Sequence, residues 1–125
     1  MTIPSSIQSM RLALADRFPK EAERADSFLV TRGFEADAHS IWLEEFSNAT
    51  TAAMRAQDER TVREYLSFMS KQLARADDEL KKYIDVSYVE PLMHGLDVTS
   101  KKWAWKFIPA SLKTLYVSMW GEPRF

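Results

Sequence analysis

The sequence predicts an all-α protein, built as a single compact bundle of about six helices that forms one domain over residues 1–125. Three observations point to this class. Only three glycines occur in 125 residues, runs of β-branched residues are few, and apolar residues recur at helical spacing along nearly the whole chain. With 46% hydrophobic and 28% charged residues, the chain has enough apolar side chains for a core. We expect breaks between helices near positions 19, 34, 57, 76, 95 and 108.

The first two predicted helices meet at a proline. Ser5 or Ser6 can cap the start of the first helix. Pro19 suits the first position of the second helix, because the first N–H groups of a helix have no partner within it. Gly33 fits the end of that second helix. The apolar stripes of the two helices are Ile7, Met10, Leu14 and Phe18, and then Ala22, Ala25, Phe28 and Leu29.

The third and fourth predicted helices have the longest apolar stripes. Asp37 is the predicted cap of the third helix. The small residues toward the end of this helix favour close approach of a neighbouring helix. A turn at Gln57 and Asp58 separates it from the fourth. The stripes are Ala38, Trp42, Phe46, Ala49, Ala53 and Ala56, and then Val62, Tyr65, Leu66, Met69, Leu73 and Ala76.

The last third of the chain contains three of the four tryptophans. The acidic segment Asp77–Glu79 opens the fifth predicted helix, since carboxylates favour a helix N-terminus. Pro91 should kink or end this helix. Residues 95–101 are predicted to form a loop that leads into a short helical turn through Trp103. Pro109 begins the last predicted helix, which a glycine and a proline end.

Most recognisable catalytic motifs are absent from this sequence, although a Ser–His–Asp set could assemble in three dimensions. Without cysteine there is no disulfide, thiolate metal site or cysteine nucleophile. No glycine-rich phosphate loop, HExxH or GxSxG motif is present. His39 and His94 each follow a glutamate, Glu35 and Glu90, by four residues, which predicts surface ion pairs along a helix. We therefore expect a protein that is not an enzyme and has no catalytic residue, no cofactor and no metal.

The N-terminal segment lacks the basic region and unbroken apolar run of a signal peptide. No stretch approaches the roughly 20 apolar residues that a membrane-spanning helix needs. We expect a cytoplasmic protein that does not associate with a membrane.

The charge is unevenly distributed along the chain. The net charge is −1, but residues 1–97 carry 12 basic and 17 acidic side chains, a net charge of −5. A partner with a basic face would therefore meet the first three quarters of the chain more readily than the tail. The Asp77–Glu79 segment is also explained by helix capping, and the two interpretations are compatible. The predicted partner-binding residues are Glu44, Glu45, Asp58, Glu59, Asp77, Asp78 and Glu79.

The segment Lys101–Phe107 combines three lysines with three aromatic residues. Such a segment can bind nucleic acid, with lysines at phosphates and aromatic rings stacked on bases. The other interpretation is that Trp103 and Phe107, four residues apart on one helical face, close the bundle while the lysines are solvated. We favour packing and expect no nucleic-acid partner, because the whole chain is slightly acidic. A small nucleic-acid-binding regulator stays an alternative.

Residues 60–125 carry a pattern of aromatic residues and prolines: DVSYVEPL, a Trp-rich step, IPASLKTLY and a terminal WGEP. In this pattern the chain resembles an uncharacterised family of small all-helical bacterial proteins that are often encoded beside polymorphic toxins of the Rhs type. The matching positions are Asp85, Tyr88, Val89, Glu90, Leu92, Pro109, Leu112, Tyr116, Trp120 and Gly121.

The resemblance implies an immunity protein that binds a cognate secreted toxin domain and occludes it without catalysis. It assigns no catalytic residue. The acidic residues named above would suit a basic toxin such as a nuclease domain. A helical adaptor with no toxin partner is the main alternative, and a homodimer through Tyr and Trp side chains of the last helix stays open.

Overall fold

The computed structural model describes residues 3–125 and confirms the all-helical class. Seven α-helices and one π-helical segment lie in this range, and none of its residues forms a strand. The π-helical segment, Ile84–Val89, continues directly from the fifth α-helix and is called the π segment below. The α-helices are α1 (Ser6–Arg17), α2 (Pro19–Thr31), α3 (His39–Arg55), α4 (Glu59–Ala74), α5 (Asp78–Tyr83), α6 (Val98–Trp105) and α7 (Ala110–Trp120).

Helix α3 is the centre of the bundle. It packs against α2, α4, α6 and the π segment, while α1 lies against α2 and α5, and α7 lies against α4 and the π segment. Its side chain Phe46 joins an aromatic cluster, with ring centroids 5.7 Å from Phe18, 4.9 Å from Tyr65 and 5.6 Å from Tyr88. Aromatic rings at such separations add to the stability that their buried area supplies.

Three predicted helix ends are confirmed. Ser5 caps α1 and forms a reciprocal capping box with Gln8, so that two unpaired backbone donors are satisfied. Pro19 is the first residue of α2. Asp77 caps α5, since its carboxylate accepts the Leu80 N–H at 2.9 Å.

The number of helices differs from the predicted six because the loop predicted for residues 95–101 was partly wrong. Helix α6 begins at Val98, inside that segment. Asp97 is its cap and accepts the Ser100 N–H at 2.7 Å. A helix of only eight residues has too few turns for its apolar residues to show a clear helical period. The capping residue Asp97 was the one local signal of its start.

The start and the inward face of α3 also differ from the prediction. The chain turns at positions 36–37, so Ala38 rather than Asp37 occupies the cap position, and no side chain caps this helix. Toward the C-terminal end of α3, Ala56 is exposed, and Ala49 and Ala53 are only half-buried. The buried residues of α3 are Trp42, Leu43, Phe46, Ser47, Thr50, Thr51 and Met54.

The three buried hydroxyl groups of α3 bind the π segment and the residues after it. Ser47 Oγ donates to the Tyr88 carbonyl oxygen at 2.7 Å, and Thr51 Oγ1 accepts the Met93 N–H at 3.3 Å. Thr50 Oγ1 donates to the Phe46 carbonyl, so the Tyr88 hydroxyl, 2.8 Å away, donates to Thr50. Every buried hydroxyl of this face therefore has a partner, as buried polar groups require.

Asp77 supplies a test of helix capping at the start of α5. Its carboxylate accepts from the Leu80 N–H and from Ser6 Oγ, and these bonds lower its pKa. We expect Asp77→Ala to lower the thermal unfolding midpoint by several degrees at pH 7, because an unpaired N–H remains at the helix start. Asp78→Ala, one residue further and not a cap, is the matched control.

Since the folded pKa of Asp77 is lowered, its contribution to stability is present above its unfolded pKa and disappears as the pH falls through the folded pKa. Equal midpoints for the two variants at pH 7 would contradict the capping role.

Candidate functional site

The turn after α2 sets the position of an exposed aromatic side chain. Gly33 has a φ of 74°, and its N–H donates to the Val30 carbonyl at 3.2 Å. The Phe34 N–H donates to the Leu29 carbonyl at 2.9 Å. These two bonds form a Schellman motif, which reverses the chain at a helix C-terminus and favours glycine where φ is positive. The motif places Phe34 on the surface, where 44% of it is exposed.

Phe34 lies beside a shallow cleft of about 460 Å³ between α2 and the first half of α3. We call this cleft the α2–α3 patch. The Arg32 guanidinium lies 5.2 Å from the ring centre of Phe28, and Glu45 accepts the Asn48 side-chain N–H at 2.9 Å. The residues that line the patch are Phe28, Arg32, Phe34, Ile41, Glu44, Glu45 and Asn48.

The lining of the patch combines apolar side chains with the carboxylates of Glu44 and Glu45 and the guanidinium of Arg32. Glu44 is exposed, and among residues 3–125 no cation forms an ion pair with Glu44 or Glu45. This arrangement can accept a large apolar side chain of a partner with a lysine or arginine next to it, as protein interfaces commonly do. Phe34 was not among the predicted site residues. Its sequence signal is a large apolar residue directly after a helix-ending glycine.

The remaining predicted acidic residues lie at the two ends of α4. Asp58 caps the start of α4, and Glu59 forms an ion pair with Arg63 at 2.9 Å. Asp77, Asp78 and Glu79 follow the other end of this 16-residue helix, so a distance on the order of 24 Å separates the two groups. Of the seven predicted residues, only Glu44 and Glu45 border the α2–α3 patch.

A second feature is a hydrogen-bonded network around Arg11 on α1. One guanidinium nitrogen, Nη1, lies 2.8 Å from the Ala36 carbonyl oxygen and 2.8 Å from His39 Nδ1. The other, Nη2, lies 3.5 Å from an Asp26 carboxylate oxygen, which also accepts the Trp42 indole N–H at 2.8 Å. The guanidinium lies 4.6 Å from the ring centre of Trp42. Arg11 thereby joins α1, α2, the α2–α3 connection and α3.

His39 lies at the meeting point of two grooves, of about 590 and 500 Å³, both of which its side chain lines. Its ring packs edge-on against Tyr83 of α5, with 6.0 Å between ring centres. Burial lowers the His39 pKa, and the neighbouring Arg11 charge lowers it further, against the opposing effect of Asp37 and Glu79. The predicted helical ion pair of Glu35 with His39 was wrong, because α3 begins only at His39 and this ring contacts Arg11 instead.

The aromatic residues of the Lys101–Phe107 segment pack as the packing interpretation predicted. Trp103 and Phe107 are half-buried against the core, with ring centres 4.8 Å apart. The Arg63 guanidinium lies 4.8 Å from the ring centre of Phe107 and covers one face that a base would need for stacking. Lys102 and Lys106 are exposed.

The last helix presents one large aromatic side chain to the surface. Trp120 is 58% exposed, and its indole N–H donates to the Glu90 carbonyl oxygen at 3.0 Å. Tyr116, by contrast, is buried and packs edge-on against Trp105. Of the two aromatic residues on α7, Trp120 is therefore the one exposed at the surface.

The fold and these features define a small all-helical protein whose candidate site is a cleft on its surface. A family model described as a domain of unknown function, DUF7674, matches residues 12–121, and the chain belongs to this family. No curated protein and no solved structure matches the chain. Within residues 3–125, no helix is long and apolar enough to cross a membrane, and no group of three or more His, Asp or Glu side chains is arranged to hold a metal ion.

Proposed function

We propose that the chain is a non-enzymatic immunity protein that binds a cognate toxin domain through the α2–α3 patch and thereby occludes it. The observation that carries this proposal is that an exposed Phe34 and the carboxylates of Glu44 and Glu45 line the same cleft. The resemblance of residues 60–125 to proteins encoded beside polymorphic toxins supplies the kind of partner.

Charge complementarity favours a basic toxin domain. Residues 1–97, which contain the patch, carry a net charge of −5. An acidic surface accelerates the encounter with a basic partner, while buried aromatic contacts slow its release. Asp58, Glu59, Asp77, Asp78 and Glu79 contribute to this field from outside the patch. Steering by the field and anchoring at the patch are therefore separable in experiments.

The test uses the protein encoded next to this gene as the candidate toxin, purified in an inactive form, and measures its dissociation constant at several salt concentrations. We expect the double variant Glu44→Lys/Glu45→Lys to weaken binding at least about tenfold, because lysines would meet the basic rim of the partner. Phe34→Ala should weaken binding by a similar factor, with little salt dependence, because it removes an apolar contact.

The matched control is Asp78→Lys/Glu79→Lys, which changes the net charge equally but lies outside the patch. The far-UV circular dichroism spectrum and unfolding midpoint of each variant establish that it is folded. If both double variants weaken binding equally, the partner recognises the overall field and the patch assignment is wrong. If the unchanged chain neither binds the toxin domain nor restores growth of cells that express the active toxin, the immunity proposal is wrong and the adaptor alternative is favoured.

A further inference from the structure

The contact between Arg11 and His39 requires an unprotonated imidazole nitrogen. A guanidinium group has five N–H donors and no acceptor, and it keeps its proton at any pH at which the protein is folded. The 2.8 Å distance between Arg11 Nη1 and His39 Nδ1 therefore requires that Nδ1 carries a lone pair. The neutral His39 ring then holds its proton on Nε2.

Three features of this position oppose a second proton on His39. The Arg11 charge lies within hydrogen-bond distance, and the ring is half-buried. His39 is also the first residue of α3, where the positive end of the helix dipole disfavours a cation. The charged groups that face the ring from other elements are Arg11 of α1, Asp37 of the α2–α3 connection, and Glu79 and Lys82 of α5, while Asp26 of α2 acts through Arg11.

A protonated His39 ring has other hydrogen-bond partners nearby. With a proton on both nitrogens it can only donate, and Asp37 and Glu79 are the nearby carboxylates that would accept from it. Turning toward them breaks the bond from Arg11. The first turn of α3 is the part of this region that opens most easily, because no side chain caps it. The Ala36 carbonyl oxygen, which Arg11 binds, lies only two residues from Phe34.

We propose that His39 is a pH-sensitive switch of the α2–α3 connection. In the neutral state it accepts from Arg11 and the start of α3 is held against α1. When the proton binds, His39 leaves Arg11, the first turn of α3 loosens, and the α2–α3 patch loses its fixed shape. The switch itself needs no partner, and only its effect on toxin binding rests on the proposed function.

The first experiment is an NMR titration of the two histidine rings in the full chain between pH 8 and pH 4.5. We expect His39 to titrate below the usual histidine value of about 6.5, and the Trp42 indole N–H signal, which reports the Asp26 bond, to shift with the His39 midpoint. Arg11→Met should move the His39 midpoint up toward that usual value. A His39 midpoint at or above about 6.5 would overturn the proposal.

The second experiment measures urea unfolding between pH 7 and pH 5. Because the folded state binds the His39 proton more weakly than the unfolded state, this contribution to stability is complete above about pH 6.5 and falls as the pH decreases. The unfolding constant should change by up to about tenfold per pH unit from this one proton. His39→Asn, whose amide oxygen can replace Nδ1 as the acceptor for Arg11, should lose this part of the pH dependence, whereas His94→Asn should retain it.

Toxin binding at pH 7 and pH 5.5 links the switch to the patch. The unchanged chain should bind more weakly at pH 5.5, and His39→Asn should bind equally at both. If the rings titrate as expected but His39→Asn shows the same loss at pH 5.5 as the unchanged chain, His39 does not control the patch. If no binding occurs at either pH while the titration holds, the proposed function fails and the switch stands.

Discussion

Phe46→Ala is expected to lower the free energy of unfolding by about 3–5 kcal/mol, the usual cost of truncating a buried phenylalanine. Only 2% of Phe46 is exposed, and its ring contacts three other aromatic rings from the α1–α2 junction, α4 and the π segment. Truncation removes the apolar burial of one ring and leaves a cavity that the rigid neighbouring rings cannot fill. Since the stability of a whole domain is about 5–15 kcal/mol, this loss is a large fraction of it.

Urea unfolding followed by far-UV circular dichroism measures this loss, provided that the dependence on urea concentration keeps its slope. The matched control is Phe34→Ala, the same substitution at a half-exposed position on the α2–α3 patch. We expect it to cost only about 1 kcal/mol, because 44% of Phe34 is already exposed to water. A loss below about 2 kcal/mol for Phe46→Ala would mean that the aromatic cluster is not the centre of the core.

The sequence predicted the helices whose buried faces are made of apolar residues. In α1 and α4 the predicted stripes contain the buried apolar residues, while the buried Gln72 of α4 was not predicted. The ends marked by Ser5, Pro19 and Asp77 are where the structure has them. These features depend on spacing within one helix turn and on capping groups three residues away. Local chemistry is therefore sufficient to predict them.

Which face of α3 is buried depends on residues that are distant in the sequence. Ser47, Thr50 and Thr51 have polar hydroxyl groups, which are usually found at the surface. The predicted apolar stripe therefore ran through Ala49, Ala53 and Ala56 instead. Their partners lie about 40 residues further on: Ser47 and Thr51 bind backbone groups of Tyr88 and Met93, and Thr50 binds the Tyr88 side-chain hydroxyl. A pattern of hydrophobicity within one helix does not show where such hydrogen-bond partners lie.

The candidate site was also only partly predictable from the sequence. Glu44 and Glu45 were predicted as partner-binding residues from charge alone, and in the structure they line the α2–α3 patch, which leaves their role in binding a prediction. The sequence did not show that Asp58 and Asp77 lie outside this patch, because their positions at the two ends of α4 depend on the tertiary fold. The Arg11 contact with His39 joins residues 28 apart, in a region where the sequence suggested only a pairing with Glu35.

The proline after the π segment explains why the Tyr88 carbonyl oxygen depends on α3. Pro91 has no N–H, and its ring would collide with the carbonyl group of Ser87 in a regular α-helix. The helix widens instead, and the Glu90 N–H donates to Asp85, five residues back, at 2.9 Å. The Leu92 N–H then donates to Val89 at 3.1 Å rather than to Tyr88. Ser47 Oγ supplies the donor that Tyr88 would otherwise lack.

Ser47→Ala is therefore expected to lower the free energy of unfolding by about 1–3 kcal/mol, the cost of leaving a buried carbonyl without a donor. Urea unfolding measures the loss, and Ser40→Ala, the same change at an exposed position of α3, should alter stability by under about 0.5 kcal/mol. The cause is tested by repeating Ser47→Ala in a Pro91→Ala background. With an N–H restored at position 91, the helix can regain regular spacing and the Leu92 N–H can turn back to Tyr88, so the cost of Ser47→Ala should fall. An equal cost in both backgrounds would mean that Pro91 does not create the need for the serine hydroxyl.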